Sequence, residues 1–138
     1  MPVQFTVTAA GYPLVCDVIC LGADVALAIQ GGNAPHIGCT VLAIPRPSLT
    51  GHGRSATVST LNRTGHKDDI LAVPIAKTVA TELDCVVSCT CGFHVDQASP
   101  QLIEQITQVA DQIAQRTCAL LHGADPCPDP ASAPSRLS

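Results

Sequence analysis

The chain has 138 residues, of which 46% are hydrophobic and 13% charged, and its formal net charge at pH 7 is −4. This composition suits one folded domain with a single core, and it excludes disorder for the body of the chain. An acidic chain with no Trp, one Tyr and two Phe has neither the basic stripe nor the stacking aromatics that nucleic-acid binding requires.

The lack of recognisable targeting signals and the distribution of the cysteines both predict a cytoplasmic protein. No apolar run is long enough to cross a bilayer, and the N-terminal sequence MPVQFTVTAAGY lacks the charged and apolar regions of a signal peptide. The eight cysteines lie mainly inside apolar runs, without the loop-rich pattern of a disulfide scaffold. We therefore expect buried free thiols, with a metal or redox pair at Cys89 and Cys91 as the alternative.

Five strands are predicted before any helix. The first, VQFTVTA, alternates between apolar and polar residues as a half-buried strand does. PLVCDVICL and DVALAIQ follow, and the two residues GA between them favour an antiparallel hairpin. CTVLAI and SATVSTL are two more strands, joined by a loop rich in Pro and Gly from Pro45 to Arg54. Five successive strands indicate an antiparallel sheet rather than a doubly wound one.

The periodicity changes after Gly65. In DDILAVPIAKTVATEL the apolar residues recur at helical spacing, with Asp68 as the predicted N-cap. Pro74 within this segment implies either a kink or a helix that begins there. The segment CVVSCTCGF is apolar enough to be a sixth, central strand.

A second helix is predicted after Ser99 and Pro100, which have the residue types of an N-cap and a first helical position. The predicted fold class is α+β, with a mainly antiparallel sheet of about six strands and both helices packed on one face. We assign residues 1–122 to one domain and residues 123–138, which are rich in proline, to a disordered tail.

The stretch from Gly31 to Ser55 is unusual because it contains two adjacent glycines, two histidines, two arginines and three prolines. Four of the seven basic residues of the chain fall between positions 46 and 67, namely Arg46, Arg54, Arg63 and Lys67. An acidic chain that concentrates positive charge in this way can attract a small anion. Consecutive glycines can turn backbone N–H groups toward the anion, and an arginine can bind phosphate with two parallel hydrogen bonds. The alternative is a solvated loop with ordinary surface charges.

Three histidines have a common setting, beside or near a glycine at a junction between regular elements. They are His36 in NAPHIG, His66 in TGHKDD and His94 in CGFHVD. Imidazole can transfer protons near neutral pH and bind transition metals. We therefore take the three histidines, together with Asp68, as candidate catalytic residues, and the histidines also as candidate metal ligands. The alternative is that each histidine is only a turn or capping residue.

Taken in order, the motifs GGNxPHIG, PRPS, GHKDD and GFHVD resemble one small family. It is the prenylated-flavin chaperone-like family, typified by the small D subunit of gallate decarboxylase, and the resemblance covers residues 3–121. It implies prenylated FMN (or FMN) as the ligand and a UbiD-type aromatic acid decarboxylase as the partner, with the flavin prenyltransferase as a second partner. The implied role is to deliver the cofactor or to mature it by oxidation.

The implied ligand and the chemistry of the residues together lead us to assign roles in the site. Contacts to the flavin are expected from the glycine-rich turn, the basic residues and one aromatic ring: Gly31, Gly32, Asn33, Arg46, Ser48, Lys67 and Phe93. Among these, Arg46 and Ser48 would bind the phosphate, and Phe93 is the residue expected to stack on the ring. The three histidines would surround the reactive ring or a divalent transition metal.

Two other functions are compatible with the sequence. One is a small metal-dependent enzyme that acts on its own phosphorylated or carboxylated substrate, with the same histidines as ligands. The other is a purely structural decarboxylase subunit that needs no ligand. We do not expect this chain to be the decarboxylase itself, and its own enzymatic activity depends on whether it oxidises the cofactor. With so few aromatic residues the flavin ring could lie on apolar strands or at a subunit interface, and we expect a homo-oligomer.

Overall fold

The computed structural model of the chain describes residues 3–9, 11–63, 68–94 and 99–122. Its strands and helices, in chain order, are β1 (Val3–Ala9), β2 (Tyr12–Leu21), β3 (Asp24–Gly32), β4 (Cys39–Pro47), β5 (Arg54–Asn62), α1 (Asp69–Leu83), β6 (Val87–His94) and α2 (Pro100–His122). The predicted α+β class, with two helices and six mainly antiparallel strands, is confirmed.

The strand order is β1-β2-β3-β6-β4-β5, and each neighbouring pair is antiparallel except β3 with β6. The predicted two-residue turn joins β2 to β3, so that Leu21 pairs with Asp24. The parallel pair arises because α1 carries the chain back along the sheet before β6 enters between β3 and β4. As a result, β3 and β6 end at the same edge of the sheet.

Alternation along the strands builds the core between the sheet and the helices. Ile29 on β3 pairs with Cys16 on β2 and with Cys91 on β6, and all three are at most 2% exposed. The α1 residues buried against the sheet and α2 are Leu71, Ala72, Ile75, Ala76, Val79 and Ala80. Each large apolar side chain buried here stabilises the fold by about 1.5–3 kcal/mol.

The two helix starts differ in how well the sequence predicts them. Ser99 caps α2 as expected, since its Oγ accepts a hydrogen bond from the Leu102 N–H at 3.2 Å. Helix α1 begins at Asp69 and continues through Pro74, so the alternative of a helix that begins at the proline is wrong. Burial of the α1 apolar face offsets the backbone hydrogen bond that this proline cannot donate.

The hairpin between β4 and β5 is more regular than the sequence suggests. The predicted loop begins at Pro45, but β4 continues to Pro47, and Arg46 pairs with Ser55 on β5. Pairing of β4 with β6 ends at Ala43. Beyond Ala43, β4 no longer pairs with β6. Prolines, which lack a backbone N–H, are therefore tolerated in this part of the strand.

The predicted burial of the cysteines is confirmed for Cys85, Cys89 and Cys91, and the seven described cysteines are all free thiols. Burial raises the pKa of Cys16 and Cys118 to about 12 and that of Cys39 to about 11. Protonated thiols are poor nucleophiles and poor metal ligands. The described cysteines in the core are therefore packing residues.

Three expectations concern the whole molecule. No helix in the described residues is long and apolar enough to span a membrane. The disordered tail predicted at residues 123–138 lies outside the described residues, so the domain division stays a prediction. The homo-oligomer also stays a prediction, because the structure contains one chain.

Candidate functional site

Connections between several elements meet at the edge of the sheet where β3 and β6 end. Gly31 pairs with Phe93 and Gly32 pairs with His94 across the parallel strands. The backbone N–H of Asn33 then donates to the carbonyl of His94 at 2.7 Å. The parallel pairing thereby joins two motifs that are far apart in the sequence.

The adjacent glycines are needed for close packing of the backbone. Gly32 has a positive φ of 76°, and a Cβ at this position would collide with the His94 carbonyl oxygen. A Cβ on Gly31 would collide with the Pro13 carbonyl oxygen. The N–H that follows the glycines is already bonded to His94, so Asn33 does not direct its backbone donor at an anion.

Asp68 connects three segments at this edge. Its Oδ1 accepts a hydrogen bond from the Phe93 N–H at 2.8 Å, and its Oδ2 lies 3.5 Å from His36 Nε2. Asp68 occupies the predicted N-cap position of α1, but its side chain does not cap the helix. The carboxylate is only 6% exposed and fits because Gly38 has no Cβ, which would otherwise collide with Oδ2.

His36 is held from both sides of its ring. Its Nδ1 lies 2.7 Å from the carbonyl oxygen of Ala34. Because a carbonyl only accepts, Nδ1 carries a hydrogen, which leaves Nε2 to face Asp68. The backbone of His36 lies against Gly92, where any Cβ would collide with the His36 carbonyl oxygen.

His94 completes the cluster of described side chains. Its ring centroid is 6.5 Å from that of His36, and the two ring planes cross at 71°. The arrangement combines two imidazoles with a buried carboxylate that one of them faces. Such a group can donate and accept hydrogen bonds and transfer protons. We refer to His36, Asp68 and His94 as the edge cluster.

Of the three other residues predicted to contribute to the site here, the structure describes only Phe93. Phe93 packs partly buried against the core, and its backbone N–H rather than its ring contacts Asp68. His66 and Lys67 lie outside the described residues. Their proposed roles stay predictions.

Arg46 and Ser48 lie at the opposite edge of the sheet. At about 3.3 Å per residue, β4 carries the chain about 23 Å between Cys39 and Arg46. Arg46 donates from Nε to Thr57 Oγ1 at 2.9 Å, while the Ser48 hydroxyl is 2.9 Å from that of Thr50. The structure therefore does not bring these two residues together with the glycine-rich turn.

Two residues at the site edge were not among the predicted flavin contacts. Arg63 donates from its backbone to the Gly38 carbonyl at 2.9 Å and from Nη1 to the Ile37 carbonyl at 3.0 Å. The Tyr12 hydroxyl is 3.5 Å from Asn33 Nδ2. The signal for Arg63 lay in the hairpin, since antiparallel pairing of two consecutive strands returns the end of β5 to the start of β4.

A metal centre is not supported by the part of the chain that the structure describes. Among those residues, no group of three or more His, Cys, Asp or Glu side chains is placed to hold a metal ion. Of the three predicted ligands, His36 and His94 are near each other, and His66 is outside the described ranges.

Comparison with known sequences assigns the chain to a class of protein. Residues 8–122 match the sequence model of the prenylated flavin chaperone LpdD-like domain, and the chain therefore belongs to that family. It is similar to Protein LpdD of Lactiplantibacillus plantarum, with 27% identity over 119 residues that cover 85% of this chain and 83% of that protein. The resemblance inferred from the motifs is thus confirmed.

A solved structure supports the fold alone. It is that of a chaperone complex for yeast 20S proteasome assembly, which superposes with a TM-score of 0.52 at 15% sequence identity. The match covers 89% of this chain and 95% of the other. At this identity the similarity concerns the arrangement of strands and helices.

Proposed function

We propose that this protein binds prenylated FMN at the edge cluster and delivers it to a UbiD-type aromatic acid decarboxylase. The observation that carries the proposal is the convergence of His36, Asp68 and His94 at one sheet edge in a member of the prenylated flavin chaperone family. In this scheme the flavin prenyltransferase supplies the cofactor and the decarboxylase receives it.

The chemistry of the edge cluster suits a flavin ring. The ring presents nitrogen and oxygen atoms at its polar side, and imidazoles can both donate to and accept from such atoms. The ring of His36 lies between the Ala34 carbonyl and the Asp68 carboxylate, which is itself fixed by the Phe93 N–H. The cofactor carries the decarboxylation chemistry in the partner enzyme, so this chain needs only to bind the flavin, protect it and release it.

The burial of Asp68 has a structural explanation, since its carboxylate accepts the Phe93 N–H and faces His36. What favours a flavin-binding protein over a purely structural subunit is membership of the prenylated flavin chaperone family. The metal-dependent enzyme has weaker support still, since the described residues offer no group of metal ligands.

The test is purification of the protein from cells that also make the flavin prenyltransferase, under anaerobic conditions. Absorbance and mass spectrometry of the retained ligand then report which flavin is bound and in which oxidation state. The loaded protein is mixed with cofactor-free UbiD-type decarboxylase, and decarboxylation is compared with that given by the same amount of free prenylated FMN.

We expect about one prenylated flavin per site and faster activation of the decarboxylase than free cofactor gives. His36→Ala should lose most of the bound flavin. His122→Ala is the matched control, because His122 is an exposed residue at the far end of α2. No retained flavin in the wild type, or activation no better than with free cofactor, would refute the proposal.

A further inference from the structure

The phosphate of a flavin bound at the edge cluster needs a cation nearby, and the structure offers one that the motifs did not. Arg46 is at the opposite edge, about 23 Å along β4. We infer that Arg63 binds the phosphate group of the flavin. This inference rests on the proposed function and names the side chain that recognises the phosphorylated form of the ligand.

Arg63 is held against the segment that carries His36. Its backbone N–H donates to the Gly38 carbonyl at 2.9 Å, and its Nη1 donates to the Ile37 carbonyl at 3.0 Å. These two bonds fix the guanidinium beside the residues that follow His36. A guanidinium has five N–H donors, so further donors remain for a planar, two-bond contact with phosphate.

The partners of Arg63 also leave its charge available. A carbonyl oxygen accepts a hydrogen bond without neutralising the positive charge. Arg54, in contrast, lies 3.4 Å from the carboxylate of Asp84 and donates to the Thr81 carbonyl near the end of α1. Arg116 lies over the ring of Phe5. Of the four arginines in the described residues, Arg63 is the one bonded to the segment between His36 and β4.

The charges around the edge explain why a cation is needed there. The N-terminus of α1 lies at this edge and has the positive end of the helix dipole, which favours an anion. Asp68 and Asp69 are at the same terminus and oppose an anion. The helix alone therefore gives no net attraction for phosphate, whereas Arg63 supplies a full positive charge on the neighbouring connection.

The inference is tested with two ligands that differ only in the phosphate, namely prenylated FMN and the same flavin after phosphatase treatment. Both are titrated anaerobically into wild type, Arg63→Gln, Arg46→Gln and Lys77→Gln. Lys77 is an exposed residue of α1, so Lys77→Gln controls for the loss of one positive charge. Thermal unfolding of each variant confirms that it is folded.

We expect Arg63→Gln to weaken binding of prenylated FMN by about 10- to 150-fold, the range for a charged hydrogen bond. Binding of the dephosphorylated flavin should not change, and the Lys77 variant should bind both ligands like the wild type. Arg63→Lys should recover only part of the loss, because lysine lacks the planar fork.

Three outcomes would overturn the inference, and they are distinguishable from failure of the proposed function. Arg63→Gln could bind prenylated FMN like the wild type, it could weaken both ligands equally, or the loss could appear in Arg46→Gln instead. In each case the wild type still binds flavin and the proposed function stands. A wild type that binds neither ligand refutes the proposed function, and the role of Arg63 with it.

Discussion

The carboxylate of Asp68 faces the imidazole of His36, with 3.5 Å between Oδ2 and Nε2. The other carboxylate oxygen accepts the N–H of Phe93. One side chain therefore joins the start of α1, the end of β6 and the segment before β4. Changes to it can separate its structural role from its role in the site.

Asp68→Ala and Asp68→Asn should have different effects on stability and the same effect on ligand retention. Alanine leaves the Phe93 N–H without its acceptor, and we expect a loss of about 1–3 kcal/mol in the free energy of unfolding, measured by urea denaturation. Asparagine retains an acceptor oxygen and should cost less. Both variants lose the charge beside His36, so both should retain less flavin. Equal stability losses would show that the Phe93 bond is unimportant.

Gly92→Ala tests the close approach of His36 to β6. A Cβ on Gly92 would collide with the His36 carbonyl oxygen, so the segment must move. We expect a loss of about 1–3 kcal/mol in unfolding free energy and a loss of bound flavin. Gly51→Ala is the control for backbone strain without a collision, because Gly51 has a positive φ of 82° but open space around it. This control should lose stability without losing flavin.

The two histidines of the edge cluster should behave as one unit. If His36 and His94 hold the same flavin, each alanine variant should lose flavin, and the double variant should be hardly worse than the worse single variant. Bound flavin per chain after gel filtration is the measurement. Losses that multiply in the double variant would indicate two independent effects.

The buried thiols predict a loss of stability at alkaline pH. Burial raises the pKa of Cys16 and Cys118 from the ordinary 9.0 to about 12, and that of Cys39 and Cys85 to about 11. The folded protein keeps protons that the unfolded chain releases above pH 9. Stability is therefore full below pH 9 and falls toward pH 11–12, by about 1.4 kcal/mol per pH unit for each such thiol.

Urea unfolding at pH 8 and pH 10 measures this effect. The free energy of unfolding should be lower at pH 10, and Cys16→Ala should reduce the difference between the two pH values. An unfolding free energy that is the same at both pH values would contradict the burial of the thiols in solution.

The elements were largely predictable because each is specified by neighbours in the sequence. Alternation of apolar and polar residues identified the strands. Ser99 was predicted to be the N-cap of α2, and its hydroxyl does cap that helix. The insertion of β6 beside β3 was not predictable. Parallel pairing joins strands that are distant in the chain, and no local pattern records which of them become neighbours.

The site was only partly predictable, because local patterns in the sequence mark some of its residues and long-range packing places the others. His36 and His94 were singled out by their glycine-rich turns, and these turns are where the backbone packs most closely. Asp68 was predicted as an N-cap, but Gly38 gives its carboxylate room to reach Phe93 and His36 instead. Arg46 was preferred to Arg63 because it lies within the irregular stretch from Gly31 to Ser55, although β4 carries it to the far edge.

The position of β6 between β3 and β4 sets the order in which the site can form during synthesis. A nascent chain that has not yet passed Val87 lacks the strand that joins the first hairpin of the sheet to the last one. His36 then has neither His94 beside it nor Gly92 to lie against. If flavin binds at the edge cluster as proposed, it can be captured only after His94 has been synthesised and the central strand has docked. Bound flavin would then report that the sheet is complete.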